Sequence, residues 1–329
     1  MAREQAGASI KDVAREAGVS VGTVSKVING IPVGESYRIR VEKAIKKLDY
    51  SVNLCAKGLR SSRTHIIAVI LPNLTNPFFA GLAGSISSQL AARNYKMMLS
   101  LTDGDTQVEQ IYVTAAEQQM LSGVICLSYN PRLQPPKNIP CVSIDRYFGS
   151  RIPCVSCDNY GGGYLAAQKL AENGCTRLAF FRIGPRMPNE PDKRKDGFLR
   201  ACEDMGLPCV LKLENDGAPY SVFEDFLREH RRGGGLDFDG IFCVTDYLAH
   251  QIRRTLHSMG LRVPEDVQII GFDGIRNFGN LEFDSSTIVQ PLEELAETCV
   301  NFVLDGQPEK APSLICLPVR YAYGGTTQQ

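Results

Sequence analysis

The feature that most constrains the fold is a pair of short apolar repeats between Ser9 and Gly30. In each, apolar residues recur at helical spacing, which predicts two short amphipathic helices. Ser9 and Ser20 precede them as N-caps, because a serine hydroxyl accepts a hydrogen bond from the first free N–H groups of a helix. Gly18 ends the first helix, since glycine readily adopts the left-handed backbone needed there. Two apolar stripes joined by so tight a corner bury each other only when the helices cross steeply, which predicts a helix-turn-helix.

A third amphipathic helix is predicted from Glu35 to Leu48, and it would complete a small three-helix core. The apolar side chains that it offers for burial are Ile39, Val41, Ala44, Ile45 and Leu48. Judged by pattern alone, a helical hairpin without any ligand is as good an interpretation as a nucleic-acid-binding motif.

Charge is unevenly distributed along the chain, although its total is zero. Residues 1–64 contain 12 Lys and Arg against 6 Asp and Glu, a net charge of +6, and the other residues together carry −6. A basic segment on an acidic body favours a polyanion as the partner of the basic segment. The second helix of the motif would then lie in the major groove of DNA.

This segment resembles the DNA-binding domain of the lactose-repressor (LacI/GalR) family. The resemblance rests on Ile10-Lys11-Asp12-Val13-Ala14, on Ala17-Gly18-Val19-Ser20, and on Thr23-Val24-Ser25-Lys26-Val27-Ile28-Asn29-Gly30. It continues through Leu48-Asp49-Tyr50 and, more loosely, along the whole chain. It implies a transcriptional regulator, acting as a repressor, that binds a pseudo-palindromic operator in double-stranded DNA as a homodimer. It also implies that a small-molecule effector controls the operator affinity.

The resemblance assigns the DNA contacts residue by residue. Val21 could touch a thymine methyl group, Gly22 has no side chain with which to choose a base, and Lys26 could bind guanine or a phosphate. Hydroxyl groups such as those of Thr23 and Ser25 suit phosphate contacts, which position a protein without specifying a sequence. The full set of predicted DNA-binding residues is Ser20, Val21, Gly22, Thr23, Ser25, Lys26, Asn29, Asn53, Lys57 and Leu59.

The last three of these residues lie in a short connecting segment, residues 53–60. The resemblance implies that it folds into a hinge helix when two subunits meet over the operator, with Leu59 wedged into the minor groove. A plain linker is the alternative, because a segment this short does not hold a helix alone. The family usually has proline where this chain has Val52, so the entry to the hinge is expected to be less rigid.

Composition limits the remaining possibilities. The chain has no N-terminal export signal and no apolar run long enough for a membrane span, so we expect a cytoplasmic protein. Its 11 cysteines are odd in number and scattered through apolar runs, which indicates small hydrophobic residues in a reducing compartment. Cys154-Val155-Ser156-Cys157 has no second pair or nearby histidine, so no metal site is predicted. No cofactor is predicted either.

Strands and helices alternate beyond the hinge, which predicts parallel sheets covered on both faces in two similar halves. We therefore divide the chain into a helix-turn-helix domain with its hinge, residues 1–61, and an α/β core, residues 62–329. Two late strands, Ser286 to Val289 and Ser313 to Pro318, are expected to cross between the halves. The arrangement resembles the two-lobed type I periplasmic-binding-protein fold that the family carries, in which a ligand lies between the lobes at the carboxyl ends of the strands.

Loops at predicted strand ends carry side chains suited to such a cleft. Carboxylates and guanidinium groups hydrogen-bond hydroxyl groups, and an aromatic ring can stack on the apolar face of a sugar. The resemblance implies effector contact for four positions, Phe79, Asp145, Arg194 and Asp273. With their neighbours, the predicted effector-binding residues are Phe78, Phe79, Asp145, Arg146, Arg194, Thr245 and Asp273. Each could instead be a structural loop residue.

Two departures from the family leave the effector class open, with a sugar or sugar phosphate favoured. Thr245 stands where the family usually has asparagine, and residues 215–219 offer no aromatic ring where many relatives have one. Two other kinds of protein remain as alternatives. An enzyme would need a catalytic motif, and neither a P-loop nor HExxH nor GxSxG is present, so no catalytic residues are predicted. A carrier-type binding protein would lack DNA affinity, which the basic segment argues against.

Overall fold

The structure is a computed structural model that describes residues 8–28, 30–50, 64–128, 130, 132–147, 152–185, 189–277, 282–305 and 313–328. It divides into two compact units at the boundary between Thr64 and His65. Four residues that we expected to contact DNA, Asn29, Asn53, Lys57 and Leu59, lie outside the described residues, as does the predicted hinge.

The first unit contains three helices, α1 Ile10–Ala17, α2 Val21–Ile28 and α3 Glu35–Lys47. Ser9 and Asp12 cap α1 reciprocally, each side chain accepting a hydrogen bond from the other residue's backbone N–H. Gly18 has a φ of 62°, the left-handed conformation expected where α1 ends. The local cap signals thus predicted the beginning and the end of α1 to within one residue.

The three helices bury one small core between them. Val13, Val24 and Val41 are fully buried and come one from each helix. Ile39, which we expected to be available for burial, is 40% exposed, so that expectation was wrong. On α3 only Val41 and Ala44 are buried, because a helix this small presents a narrow face to its two partners.

The second unit begins with a fully parallel six-stranded sheet, here called the first sheet. Its strands are β1 Ile66–Leu71, β2 Lys96–Leu101, β3 Gly123–Cys126, β4 Cys141–Ile144, β5 Cys154–Cys157 and, much later in the chain, β13 Leu314–Leu317. They lie in the order β13-β5-β4-β3-β1-β2. The helices of this lobe are α4 Pro77–Ala92, α5 Thr106–Gln118 and α10 Leu292–Asp305.

The second sheet also has six strands. They are β6 Leu178–Gly184, β7 Cys209–Asn215, β10 Gly240–Cys243, β11 Gln268–Asp273, β12 Thr287–Val289 and β14 Arg320–Ala322, in the order β14-β12-β11-β10-β6-β7. All pairings are parallel except that of β14 with β12. Its helices are α6 Asn159–Glu172, α7 Lys193–Met205, α8 Ser221–Glu229 and α9 Asp246–Ser258. A short hairpin joins β8 Arg231–Arg232 to β9 Gly235–Leu236.

This architecture confirms the predicted fold class, a helical domain and a two-lobed α/β core. Of the two late strands, Leu314–Leu317 does cross to the first sheet, whereas Thr287–Val289 stays in the second. Cys316 is exposed rather than buried, because β13 is an edge strand.

The strands β7, β8, β9 and β14 and the helix α10 had not been predicted. Strand β7 lies at an edge of its sheet and alternates half-buried with exposed residues, so its apolar signal is weak.

Helices α6 and α7 of the second lobe pack unusually closely, because two glycines face each other's backbones. A Cβ atom added to Gly163 would lie 1.9 Å from the carbonyl oxygen of Arg194, and one added to Gly197 would lie 1.9 Å from that of Tyr160. Any larger residue must push the helices apart. Because neither glycine has a side chain, the first turn of α7, which carries Arg194, can lie directly against α6.

We predict that Gly163→Ala separates α6 from α7 and lowers the melting temperature by several degrees, since overpacking costs about 1–3 kcal/mol. The matched control is Gly84→Ala in α4, where an added Cβ meets nothing within 4 Å. Alanine there should be neutral or slightly stabilising, because it is the better helix former. Equal melting temperatures for the two variants would contradict the close-packing argument.

Candidate nucleic-acid interface and ligand cleft

In the helical unit, α2 presents a small polar face to solvent. Gly22 and Lys26 are exposed, as is Ser20 before the helix. The Ser20 hydroxyl accepts a hydrogen bond from the backbone N–H of Thr23 at 3.1 Å and lies 3.0 Å from the Thr23 hydroxyl. These contacts hold the first turn of α2 in place and leave Lys26 projecting one turn further along.

The remaining predicted contacts on α2 are less accessible. Val21 is partly buried and packs against the helical core, which leaves little of its side chain for a thymine methyl group. Thr23 and Ser25 are also partly buried. Of the described residues on this helix, Lys26 is therefore the one that presents a long, charged side chain.

Ion pairs neutralise only part of the positive charge of this unit. Arg15, Arg38 and Lys47 each pair with an acidic residue. Among the described residues, no acidic partner lies within 4.0 Å of four further exposed lysines, namely Lys11, Lys26, Lys43 and Lys46. Unpaired surface cations of this kind are available to bind phosphate groups of a nucleic acid.

In the core unit, a cavity of roughly 300 Å³ lies at the carboxyl ends of strands from both sheets. The structure brings all seven residues predicted to bind an effector to its lining, namely Phe78, Phe79, Asp145, Arg146, Arg194, Thr245 and Asp273. They follow strands or begin helices in different parts of the chain, as expected for parallel sheets whose strand ends meet at one edge.

Arg194 is the most heavily constrained of these side chains. Its Nε donates to Asn159 Oδ1 at 2.7 Å and its Nη1 donates to the carbonyl oxygen of Val244 at 2.6 Å. Its guanidinium carbon lies 3.6 Å from the centre of the Phe272 ring, and Nη1 lies 3.8 Å from Asp273 Oδ1. The side chain is 3% exposed, so burial lowers its pKa while the nearby carboxylates oppose that shift.

Asp273 is buried with an unsatisfied oxygen. Gln290 donates to its Oδ1 at 2.7 Å, but in the described part of the chain its Oδ2 has no hydrogen-bond partner. Burial raises the pKa of Asp273 to about 8, against the attraction of Arg194. The residue has a φ of 131°, a strained conformation for any residue other than glycine. A ligand hydroxyl group would satisfy the free oxygen.

On the first lobe, Asp145 and Arg146 lie side by side after β4. Ser156 donates to Asp145 Oδ1 at 2.5 Å. Burial raises the pKa of Asp145, while Ser156, Arg194 and Arg146 act in the opposite direction. Arg146 Nε donates to the carbonyl oxygen of Ser128 at 3.1 Å. The cleft thus contains a carboxyl and a guanidinium group from each lobe, which suits a ligand with several hydroxyl groups.

Several lining residues had not been predicted, among them Asn73, Arg182, Asp192, Asp216, Tyr247 and Gln290. Gln290 and Tyr247 follow strands within a few residues, so their position alone could have identified them. Asp246, beside Thr245, points away from the cavity lining and accepts hydrogen bonds from the backbones of Gly274 and Ile275. Burial raises its pKa to about 6.

A direct bridge joins the lobes beside these residues. The Tyr147 hydroxyl of the first lobe donates to Glu190 Oε1 of the second at 2.6 Å, and Lys193 Nζ lies 2.6 Å from the same oxygen. The backbone N–H of Glu190 also donates to the carbonyl oxygen of Asp145 at 3.3 Å. Tyr147 follows Arg146 and Lys193 precedes Arg194, so the bridge is adjacent in sequence to the cleft residues of both lobes.

We predict that Tyr147→Phe loosens this bridge and speeds hydrogen exchange at the Glu190 amide about fivefold, since such a hydrogen bond contributes about 1 kcal/mol. Hydrogen–deuterium exchange of residues 189–192 measures the effect. Tyr160→Phe, an exposed tyrosine outside the cavity lining, is the control. Unchanged exchange in Tyr147→Phe would show that the bridge does not hold the lobes together.

A second prediction concerns pH. Because the folded-state pKa of Asp273 is raised from its ordinary 3.8 to about 8, folding favours the protonated carboxyl. The stability of the unliganded chain should therefore fall as pH rises from about 4 to about 8, by at most ~1.4 kcal/mol per pH unit from this residue. Arg194, Asp246 and Asp145 are the charged groups that face it.

Asp273→Asn should remove that part of the pH dependence. Denaturant unfolding of both proteins at pH 5 and pH 8.5 isolates the contribution of Asp273 from those of Asp145 and Asp246. The variant is expected to gain stability relative to the wild type at the higher pH. A constant difference between the two proteins at both pH values would contradict the assignment.

Within the described residues, no cluster of three or more His, Cys, Asp or Glu is arranged to hold a metal ion. No helix in the same part of the chain is both long and apolar enough to cross a membrane.

Comparison with known proteins gives a family match within each unit. Residues 9–53 match the model for bacterial regulatory proteins of the lacI family, and residues 167–327 match that for a periplasmic binding protein-like domain. The ribose operon repressor of Halalkalibacterium halodurans is 33% identical over 92% of this chain and 91% of its own length. The sucrose operon repressor of Pediococcus pentosaceus is 31% identical over 90% of this chain and 91% of its own.

Among solved structures, the lac repressor dimer bound to operator and an anti-inducer superimposes with a TM-score of 0.82 at 22% identity. The match covers 98% of this chain and all of that one. At this identity the likeness is one of fold.

Proposed function

The chain belongs to the LacI family of bacterial regulatory proteins, and we propose on that basis that it is a DNA-binding repressor controlled by a saccharide in the cleft. The observation that carries the effector part is the convergence of seven predicted residues on one cavity. Their carboxyl, guanidinium and aromatic groups are those that bind hydroxyl groups and the apolar face of a sugar.

Two of the relatives support the choice of a saccharide, since they are named as repressors of a ribose operon and a sucrose operon. Asp273 Oδ2, buried without a hydrogen-bond partner among the described residues, is a polar atom that a hydrogen bond with a ligand hydroxyl group would satisfy. The proposal assigns the cleft no catalytic step.

The helical unit would supply the operator contact. Ser20, Gly22 and Lys26 form the exposed face of α2, and the surrounding lysines would bind phosphates. We propose that two subunits bind a pseudo-palindromic operator in the cytoplasm, as the lac repressor dimer binds its operator in the matching structure. The proposed domain boundary remains near residue 61. A hinge helix at about residues 53–60 would place Asn53, Lys57 and Leu59 against the DNA.

Control by the effector requires two states of the core that differ in affinity for it. The Tyr147–Glu190 bridge joins the lobes, and charged side chains of both lobes line the cleft, so a ligand between them would favour the closed arrangement. Closure of the lobes would then alter how the two helical units of a dimer meet the operator.

The test begins by selecting the preferred duplex from random DNA with the full-length chain, followed by a screen of saccharides for a change in binding. We predict that Lys26→Ala weakens binding to the selected duplex by ~1–3 kcal/mol and relaxes its sequence preference. Lys43→Ala on α3 is the matched control, since an exposed lysine outside α2 should reduce binding to all sequences alike and lower the salt dependence.

Two results would overturn the proposal. The DNA-binding part fails if the chain prefers no duplex over random competitor at moderate salt. The effector part fails if no saccharide changes the affinity for the selected duplex or stabilises the core unit.

A further inference from the structure

The cavity has two ends that differ sharply in burial. At the inner end, Asp145, Arg146, Arg194, Asp273 and Gln290 are all 5% exposed or less. At the other end, which we call the mouth, Thr75, Asp216 and Tyr247 are exposed and Arg182 is half-buried. The inner end thus encloses a small part of a ligand. The mouth leaves room for a second part of the same ligand, which remains in contact with solvent.

The charge of the cavity argues against an anionic ligand. Four carboxyl groups line it, those of Asp145, Asp192, Asp216 and Asp273, against three guanidinium groups, those of Arg146, Arg182 and Arg194. Even with Asp273 protonated, positive charge does not exceed negative. A phosphate group is bound where positive charge is in excess, so the cavity suits an uncharged ligand better than a phosphate ester.

At the mouth, the cation Arg182 already has partners within the protein. Arg182 pairs with Asp192 at 2.8 Å and donates to the carbonyl oxygen of Pro185 at 2.7 Å. The Asp216 carboxylate accepts no hydrogen bond from the described residues, although it lines the cavity. It is therefore an available acceptor for a ligand hydroxyl group, and it would repel a phosphate placed beside it.

An aromatic surface lies at the same end. Tyr247 is 43% exposed, and its ring centre lies 6.2 Å from that of Tyr220 in an edge-to-face arrangement. An exposed ring held by a second ring is a flat apolar surface on which the C–H face of a sugar can pack. Tyr247 thus supplies the aromatic group that residues 215–219 lack.

We propose that the effector is an uncharged saccharide of two units, with one ring at the inner end and the second packed on Tyr247 at the mouth. This inference rests on the proposed function, because it takes the cleft to be the effector site. Asp216 accepts hydroxyl groups of the second unit, and the inner carboxyl and guanidinium groups bind those of the first.

Isothermal titration calorimetry with the full-length chain tests the inference. The probes are sucrose, cellobiose and maltose, their component monosaccharides, ribose, and the monophosphate esters of these single sugars. We expect a disaccharide to bind at least tenfold more tightly than its components and than any phosphate ester. If a single sugar or a phosphate ester binds most tightly, this inference fails while saccharide control stands. If none of the probes binds, the proposed effector class fails as well.

Variants of Tyr247 separate a binding surface from a structural role. Tyr247→Ala should weaken binding of the preferred disaccharide about tenfold and leave binding of its component sugar unchanged, and Tyr247→Phe should retain the wild-type affinity. Tyr323→Ala, at an equally exposed tyrosine outside the cavity lining, is the control. If Tyr247→Ala weakened the binding of the disaccharide and of its component sugar equally, the proposal of a second sugar site at Tyr247 would be overturned.

Discussion

The arrangement of the core depends on a single buried guanidinium group. Arg194 joins the N-terminus of α6, the end of β10, the Phe272 ring and Asp273 in one set of contacts. A buried cation is tolerated only when it is paired and hydrogen-bonded, so all four partners must keep their positions. The close contacts of Gly163 and Gly197 between α6 and α7 set the position of the Arg194 backbone. The geometry of the cleft therefore depends on these two glycines as well.

The parts of the molecule predicted from sequence are those encoded locally. The caps of α1 need only neighbouring residues, and the strand ends that carry Asp145 and Asp273 follow continuous apolar runs. Local pattern therefore identified the helix-turn-helix and the alternating core. The seven predicted residues that line the cavity came from the family resemblance together with their positions in loops at predicted strand ends.

The parts that could not be predicted depend on distant partners. Tyr147 and Glu190 meet only because the lobes face each other. Edge strand β7 alternates like a surface segment, and exposure of Ile39 follows from how three small helices share one core. Local sequence patterns cannot specify such long-range contacts.

The chain passes between the lobes more than once. After β5 it leaves the first sheet for α6, and it returns after β12 to form α10 and β13 before β14 rejoins the second sheet. Residues 292–317 thus supply a covering helix and an outer strand to a sheet whose other five strands end at Cys157. During synthesis, the edge strand β5 of the first lobe stays unpaired on its outer side until β13 has left the ribosome. Contacts this distant in sequence slow folding, so the edge of the nascent lobe is exposed to mispairing while residues 158–313 are synthesised.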